Sequence, residues 1–151
     1  MTGRPVKRRA LPTDLLAYIV LTLFALISLA DQIAPYYGKA ETACHIGYVY
    51  DGDTIEMICE GQHLRARLQG FDTPETKSPK CQAEKAWGDR ATARLRSLAK
   101  QPAITLYRHG HDKYGRELVV MLVDGRDVAD IMVAEQLAVV YDGGTRRNWC
   151  Q

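Results

Sequence analysis

The sequence predicts an α+β fold of mainly β structure: a five-stranded barrel with two packed helices, preceded by an N-terminal hydrophobic helix. Three observations point there. An uncharged, apolar run, Leu15 to Ala30, stands apart from everything that follows it. Five short stretches rich in β-branched and aromatic residues lie between positions 43 and 123. One segment between the third and fourth of these, and another after the fifth, place apolar residues at helical spacing.

The apolar run reads LLAYIVLTLFALISLA and follows Arg4, Lys7, Arg8 and Arg9. A basic region ahead of an apolar stretch is the pattern of an export signal. As a helix its 16 residues measure roughly 24 Å, against roughly 30 Å for a hydrocarbon core. The length lies between a cleaved signal peptide and a retained anchor, which would tie the chain to the membrane through residues 15–30. Ser28-Leu29-Ala30 and Gly38-Lys39-Ala40 both offer small residues for cleavage. Under the positive-inside rule either outcome places the rest of the chain outside the cytoplasm, in the periplasm or the medium. Residues 1–40 are therefore expected to be a signal or anchor plus linker, and 41–151 a single domain.

Within that domain, Ala43–Tyr50 and Thr54–Cys59 flank Asp51-Gly52-Asp53 and read as a β-hairpin. From His63 to Phe71, Leu64, Ala66, Leu68 and Gly70 alternate with His63, Arg65, Arg67 and Gln69, which predicts a third strand with one polar face. Asp72–Lys80 holds two prolines and reads as a loop. Trp87, Ala91, Leu95 and Leu98 then mark one face of a helix over Gln82–Lys100, with Arg90, Arg94 and Arg96 on solvated faces. Ala103–Tyr107 and Glu117–Val123 are the last two strands, joined by a polar connection over Arg108–Arg116. Val128–Leu137 is the second helix. This order matches an OB-like barrel.

Composition narrows the functional classes. From residue 41 on there are 15 basic and 16 acidic residues. Proteins that hold nucleic acid by bulk counterion release carry a basic excess. Any polyanion here must be held locally, by a few placed arginines and a metal ion. All four cysteines, Cys44, Cys59, Cys81 and Cys150, follow the apolar run. An even count in an exported small domain suggests disulfides, and four cysteines allow three pairings. The hairpin turn brings Cys44 near Cys59, and elimination leaves Cys81 for Cys150. A zinc site is the rival reading, but no CxxC spacing supports it.

Hydrolysis of a phosphodiester needs oxygen ligands for a hard cation, a carboxylate to orient water, and arginines that fork onto phosphate. Asp53, Arg67, Asp72, Glu75 and Arg116 supply these groups in short windows. Singly each is unremarkable: Asp-Gly-Asp is a common turn, and an arginine on a strand is usually solvated. Their joint order is specific. Tyr50-Asp51-Gly52-Asp53-Thr54, then Arg67 through Lys77 (RLQGFDTPETK), then Asp112-Lys113-Tyr114-Gly115-Arg116 resemble the three signature stretches of the staphylococcal nuclease family, in order and with similar separations. Asp124-Gly125 and Leu137-Ala138 resemble later segments, so the likeness covers about 44–142.

The resemblance implies roles residue by residue. Asp53 and Asp72 would bind Ca²⁺, with the backbone carbonyl of Thr73 as a third ligand. Glu75 would orient or activate the attacking water. Arg67 and Arg116 would hold the scissile phosphate and stabilise the transition state. Lys113 and Tyr114 would meet a terminal phosphate and a base, and Tyr141 a further base. The implied activity is cleavage of DNA or RNA to leave 3′-phosphate ends, with nucleic acid as the partner and no protein partner. The alternative is a non-catalytic OB-like module that binds nucleic acid or protein at the cell envelope. Two departures from the family stand out. Only Gly143–Gln151 remain where the type member has a third helix, and the Cys81–Cys150 bridge with Trp149 would supply the missing anchorage. Gln136 stands where the family usually has glycine.

Overall fold

The computed structural model describes residues 13–33 and 38–151. The basic residues Arg4, Lys7, Arg8 and Arg9 and linker positions 34–37 lie outside them. Two compact units divide the chain, Met1–Tyr36 and Tyr37–Gln151.

The first unit contains helix α1 (Thr13–Ile33). Its apolar side chains are exposed at successive positions, among them Tyr18, Ile19, Val20, Leu21 and Phe24. Successive positions cover every face of a helix, so this is not an amphipathic stripe. Among the described residues no helix is long and apolar enough to cross a membrane, so the anchor reading of residues 15–30 finds no support here.

The second unit is a curled mixed sheet with two helices. Its strands are β1 (Cys44–Val49), β2 (Thr54–Cys59), β3 (Gln62–Leu68), β4 (Gly70–Asp72), β5 (Ile104–His111), β6 (Glu117–Val123), β7 (Arg126–Asp127) and β8 (Val139–Tyr141). Helices α2 (Gln82–Leu98) and α3 (Val128–Ala134) follow β4 and β7. The main sheet runs β1-β2-β3-β6-β5. Every pairing in it is antiparallel except β3 with β6. Ala40 bridges Tyr107, and the Glu41 N–H donates to the Leu106 carbonyl at 2.9 Å. The chain entering β1 thus lies on β5, so the two edge strands of the sheet approach each other as in a barrel.

Several elements differ from the sequence expectation: the second helix ends at Ala134 rather than Leu137, and β7 and β8 are additional short strands. The third strand stops at Leu68. Gly70 takes φ +86°, and the chain turns off into β4, which pairs with β8 as a separate two-stranded sheet. Burial explains the break, because it sends Phe71 and Asp72 inward one after the other. The expected fourth strand, here β5, extends through His111, past its expected end at Tyr107, by pairing with β6 over a register irregularity after Arg108. The polar connection shrinks to a tight turn in which the Asp112 N–H donates to the Arg116 carbonyl at 2.9 Å.

Ile55, Met57, Ala66, Leu68, Phe71, Ala91, Leu95, Val119, Met121 and Met132 form the fully enclosed centre of the core. The two disulfides are Cys44–Cys59, across the first hairpin, and Cys81–Cys150, from the start of α2 to the C-terminus. All four cysteines are thereby consumed, which excludes the zinc reading.

Candidate active site

The site lies where the β1–β2 turn, the end of β3 and the segment after β4 meet. The Asp51 carboxylate accepts from the Asp53 N–H at 3.3 Å, an Asx turn that sets the tip of the hairpin. Gly52 is needed there for space. A Cβ on it would stand 2.7 Å from Thr73 Oγ1 and 2.9 Å from the Ala91 Cβ. Any side chain would push the Thr73 segment and α2 away from the turn.

Asp53 is enclosed on both oxygens. Oδ1 accepts from the Thr54 hydroxyl at 3.0 Å and pairs with Arg67 Nη1 at 2.7 Å. Oδ2 accepts from the Thr73 N–H at 3.2 Å and from its hydroxyl at 2.9 Å. Arg67 was expected on the polar face of its strand, yet it is 5 % exposed. Its guanidinium donates to the Phe71 carbonyl at 3.0 Å and to Asp72 Oδ1 at 3.3 Å. One buried arginine therefore bridges two buried aspartates. Removing one partner of such a cluster typically costs about 3–5 kcal/mol, because charges are left unpaired in the interior.

Burial dominates the titration of both aspartates. It pushes Asp53 up to about 6, helped by the neighbouring charges of Asp51 and Asp72 and opposed by Arg67 and the Thr73 hydrogen bond. It also raises Asp72, opposed by Arg146 and Arg67 and reinforced by Glu75. The arginines offset only part of the negative charge. A hard divalent cation would relieve the rest, and the donors present are oxygens of the kind it takes. Among the described residues no group of three or more His, Cys, Asp or Glu side chains converges as a ready metal cage. Asp53 and Asp72, bridged by Arg67, are the two buried carboxylates that could share such a cation, with its remaining ligands from backbone oxygen, water or a bound phosphate.

Glu75 lies outside the buried cluster, its side chain 46 % exposed. Its backbone N–H reaches Glu84 Oε1 at 3.5 Å, and the other Glu84 oxygen accepts from the Lys80 N–H at 2.6 Å. Glu84 is itself buried, so it fixes the loop that carries Glu75 onto the first turn of α2. Gly88, one turn further on, lets the loop pack close, since a Cβ there would meet the Pro74 carbonyl at 2.7 Å.

Sequence reasoning missed Arg146. Its guanidinium contacts Glu75 Oε1 at 2.5 Å and Asp72 Oδ1 at 3.3 Å. It arrives on the C-terminal segment, which Cys150 ties to Cys81. Trp149 is buried and packs on Trp87 with ring centroids 5.7 Å apart. The Trp149 indole N–H also favours the ionised form of Asp72, more weakly than the arginines, although it falls outside strict hydrogen-bond geometry. The cysteine pairing was the only available signal for this segment.

The remaining expected residues stand apart from the aspartates. Arg116 is held in its own turn by Asp112, Nη2 to Oδ2 at 2.7 Å, and no contact joins it to Asp53, Asp72 or Glu75. Tyr114 is 73 % exposed, with Lys113 at 5.1 Å and Arg116 at 5.7 Å from its ring. The Tyr141 hydroxyl donates to the Gly144 carbonyl at 3.0 Å.

Comparison with known proteins identifies the family. The profile of the family described as "Staphylococcal nuclease homologue" matches residues 65–149, from just before Arg67 through Trp149. Endonuclease YncB of Bacillus subtilis (strain 168) is 36 % identical over 102 residues, covering 64 % of this chain and 48 % of its own. The SPbeta prophage-derived endonuclease YokF of the same organism is 35 % identical over 102 residues, covering 64 % of this chain and 34 % of its own. An uncharacterized endonuclease of Escherichia coli O157:H7 is 32 % identical over 126 residues, 83 % of this chain and 73 % of its own. The chain spans about half or less of the two Bacillus relatives. By the extent of the family match and the coverage of the E. coli relative, this chain belongs to the staphylococcal nuclease family.

Proposed function

We propose that this chain is a metal-dependent endonuclease that hydrolyses phosphodiester bonds of DNA or RNA. The observation that carries the reading is the Asp53–Arg67–Asp72 cluster, a buried guanidinium spanning two buried carboxylates, with the half-exposed carboxylate of Glu75, paired to Arg146, beside it. A purely structural cluster has no need of two aspartates whose burial opposes their ionisation.

A divalent cation, Ca²⁺ by family resemblance, would be held by Asp53, Asp72 and the Thr73 carbonyl, where it supplies positive charge to a phosphate oxygen. Glu75 orients the attacking water and takes a proton from it. Water oxygen bonds to phosphorus, the bond from phosphorus to the 5′ oxygen breaks, and that oxygen leaves with a proton. The product is a 3′-phosphate end. Arg67 neutralises charge on the phosphoryl oxygens, and Arg116 exchanges Asp112 for the phosphate to do the same from the other side. Arg146, already on Glu75 and Asp72, adds a third guanidinium. Lys113, Tyr114 and Tyr141 serve the flanking nucleotide.

The same reading makes the protein an exported one. Its support is the basic and apolar N-terminal pattern together with two disulfides in the domain. Fractionation of cells expressing the full chain tests this, and recovery of the domain only in the cytoplasm with reduced cysteines rejects it.

The activity is tested by incubating the full chain, in mild detergent, with single- and double-stranded DNA and RNA, in Ca²⁺, in Mg²⁺ and in chelator. Glu75→Gln is the control of choice, since Glu75 is half exposed and its loss leaves the core intact. Metal-dependent cleavage that collapses in the variant is expected. Binding without cleavage in every metal would establish the non-catalytic module instead.

A further inference from the structure

From residue 41 on the chain carries one more acid than base, yet its cations are not evenly spread. Tyr48 and Tyr50 meet edge to face at 5.2 Å, and Tyr48 is 53 % exposed. Three cations from three elements lean on this pair. Arg65 of β3 lies 4.9 Å from the Tyr50 ring centre, and Lys77 of the site loop 5.5 Å from the same ring. Arg96 of α2 stands 5.9 Å from Tyr48. All three cations are exposed, and among the described residues none of them forms an ion pair. Glu56, opposite Arg65 in register, is engaged by His63 at 3.0 Å.

An exposed tyrosine backed by a half-buried one and ringed by cations without acid partners has the two components of a single-strand platform, a π-face for a base and positive charge for the backbone. Cation–π packing alone stabilises a surface by about 0.5–1 kcal/mol, and it gives no reason for three cations to lack carboxylates. The patch also adjoins the active site along the chain. Tyr50 precedes Asp53 by three residues, and Lys77 follows Glu75 by two. Arg65 and Arg67 are two apart on β3 and so share a face, roughly 6.8 Å along the strand. A chain whose phosphate lies at Arg67 runs on naturally toward Arg65.

We propose that Tyr48, Tyr50, Arg65 and Lys77 form a subsite for single-stranded nucleic acid, holding a base on Tyr48 and a phosphate between Arg65 and Lys77. The placement of this subsite beside a scissile phosphate rests on the nuclease reading. The binding itself does not.

The test is fluorescence anisotropy with a labelled deoxythymidine decamer and the full chain, in chelator so that nothing is cut. Tyr48→Ala is expected to weaken binding about five- to a hundredfold, as for a lost base–aromatic stack. Tyr48→Phe keeps the ring and should keep the affinity. Arg65→Ala should lower the slope of log affinity against log salt by about 0.7, one phosphate contact on a single strand. Lys85→Ala, near the start of α2 and about three turns from Arg96, controls for bulk charge and should bind as the parent does. Melting curves check that each variant is folded. Parent-like binding by both Tyr48→Ala and Arg65→Ala overturns the subsite, and so does absence of binding by the parent. The two readings separate cleanly. A parent that cleaves while neither substitution alters binding leaves a nuclease without this subsite. Weakened binding in a protein that cuts in no metal leaves the subsite without a nuclease.

Discussion

Arg146 and Glu75, 71 residues apart in sequence, meet at 2.5 Å, and the same guanidinium reaches Asp72 at 3.3 Å. Arg67 contacts that same Asp72 oxygen from the buried side. Two arginines 79 residues apart in sequence, one on the central strand and one near the C-terminus, therefore converge on one carboxylate. The outer one is held by chain that has no regular secondary structure of its own.

Arg146→Ala is expected to lower kcat/KM about ten- to a hundredfold, the scale of one lost hydrogen bond to a charged group, about 1.5–3 kcal/mol. Stability should fall as well: the half-exposed Arg146–Glu75 pair contributes about 0–1 kcal/mol, and the contact with buried Asp72 adds to it, so activity is compared per folded molecule. Arg146→Lys should recover part of the loss. Steady-state kinetics beside a urea titration checks this. Parental kinetics in the alanine variant would make Arg146 a surface residue.

The disulfides should differ in what their loss does. Cys44–Cys59 closes 15 residues and Cys81–Cys150 closes 69. Loop-closure entropy makes these worth about 3 and about 4 kcal/mol to stability. Only the second holds Arg146 and Trp149 over the site. The Cys81→Ser/Cys150→Ser protein should lose activity at temperatures where it is still folded. The Cys44→Ser/Cys59→Ser protein should lose stability and keep the activity of its folded fraction. Equal activity per folded molecule in the two pairs would separate Arg146 from the strap.

Much of this was legible in the sequence, and the reasons are physical. The hairpin, the helix α2 and Glu117–Val123 follow from local periodicity and turn chemistry, which short windows contain. Asp53, Arg67, Asp72 and Glu75 fall in compact motifs, so their convergence was readable before any coordinates. The β4–β8 pair was not, because Gly70 and Tyr141 are joined only by tertiary packing. Arg146 was hidden for the same reason: no periodicity marks residues 142–148, and only the cysteine at 150 hints that the segment returns to α2. The burial of Arg67 also escaped, since alternation assigns it a face but does not say that a loop covers that face.

Metal-free stability should fall as pH rises through the range set by Asp53. Its carboxyl sits at about 6 in the folded protein against an ordinary 3.8. The folded state therefore binds more protons than the unfolded state between these values. This contribution is present at the low end and is lost as pH approaches about 6. Glu117 works in the opposite sense. Burial alone would raise it, but Arg108 and His111 hold it below its ordinary value, so its contribution is present above about 4.5 and disappears in stronger acid. A cation on ionised Asp53 reverses the first effect. The gain in Tm on adding Ca²⁺ should be larger near neutrality than at about pH 5. A gain independent of pH would place the cation away from Asp53.

Gln136 is the clearest place to stabilise the fold without touching the chemistry. Helix α3 ends in a paired cap. The Leu137 N–H donates to the Met132 carbonyl at 2.9 Å and the Gln136 N–H to the Val133 carbonyl at 3.0 Å. That is a Schellman arrangement, and it puts its C′ residue in the left-handed region. Gln136 occupies that position with φ +59°. A side chain with a Cβ is strained there, whereas glycine is not. Gln136→Gly should therefore stabilise the domain by on the order of 1 kcal/mol, net of glycine's greater freedom in the unfolded chain. For a domain of this size that is a rise in Tm of about 4 °C. Nuclease kinetics should not change, since no contact links Gln136 to the aspartates, Glu75 or the arginines of the site. Differential scanning calorimetry of the two proteins decides it. An unchanged or lower Tm would mean that the packing of α3 on its neighbours, rather than the local backbone, sets the energy of this turn.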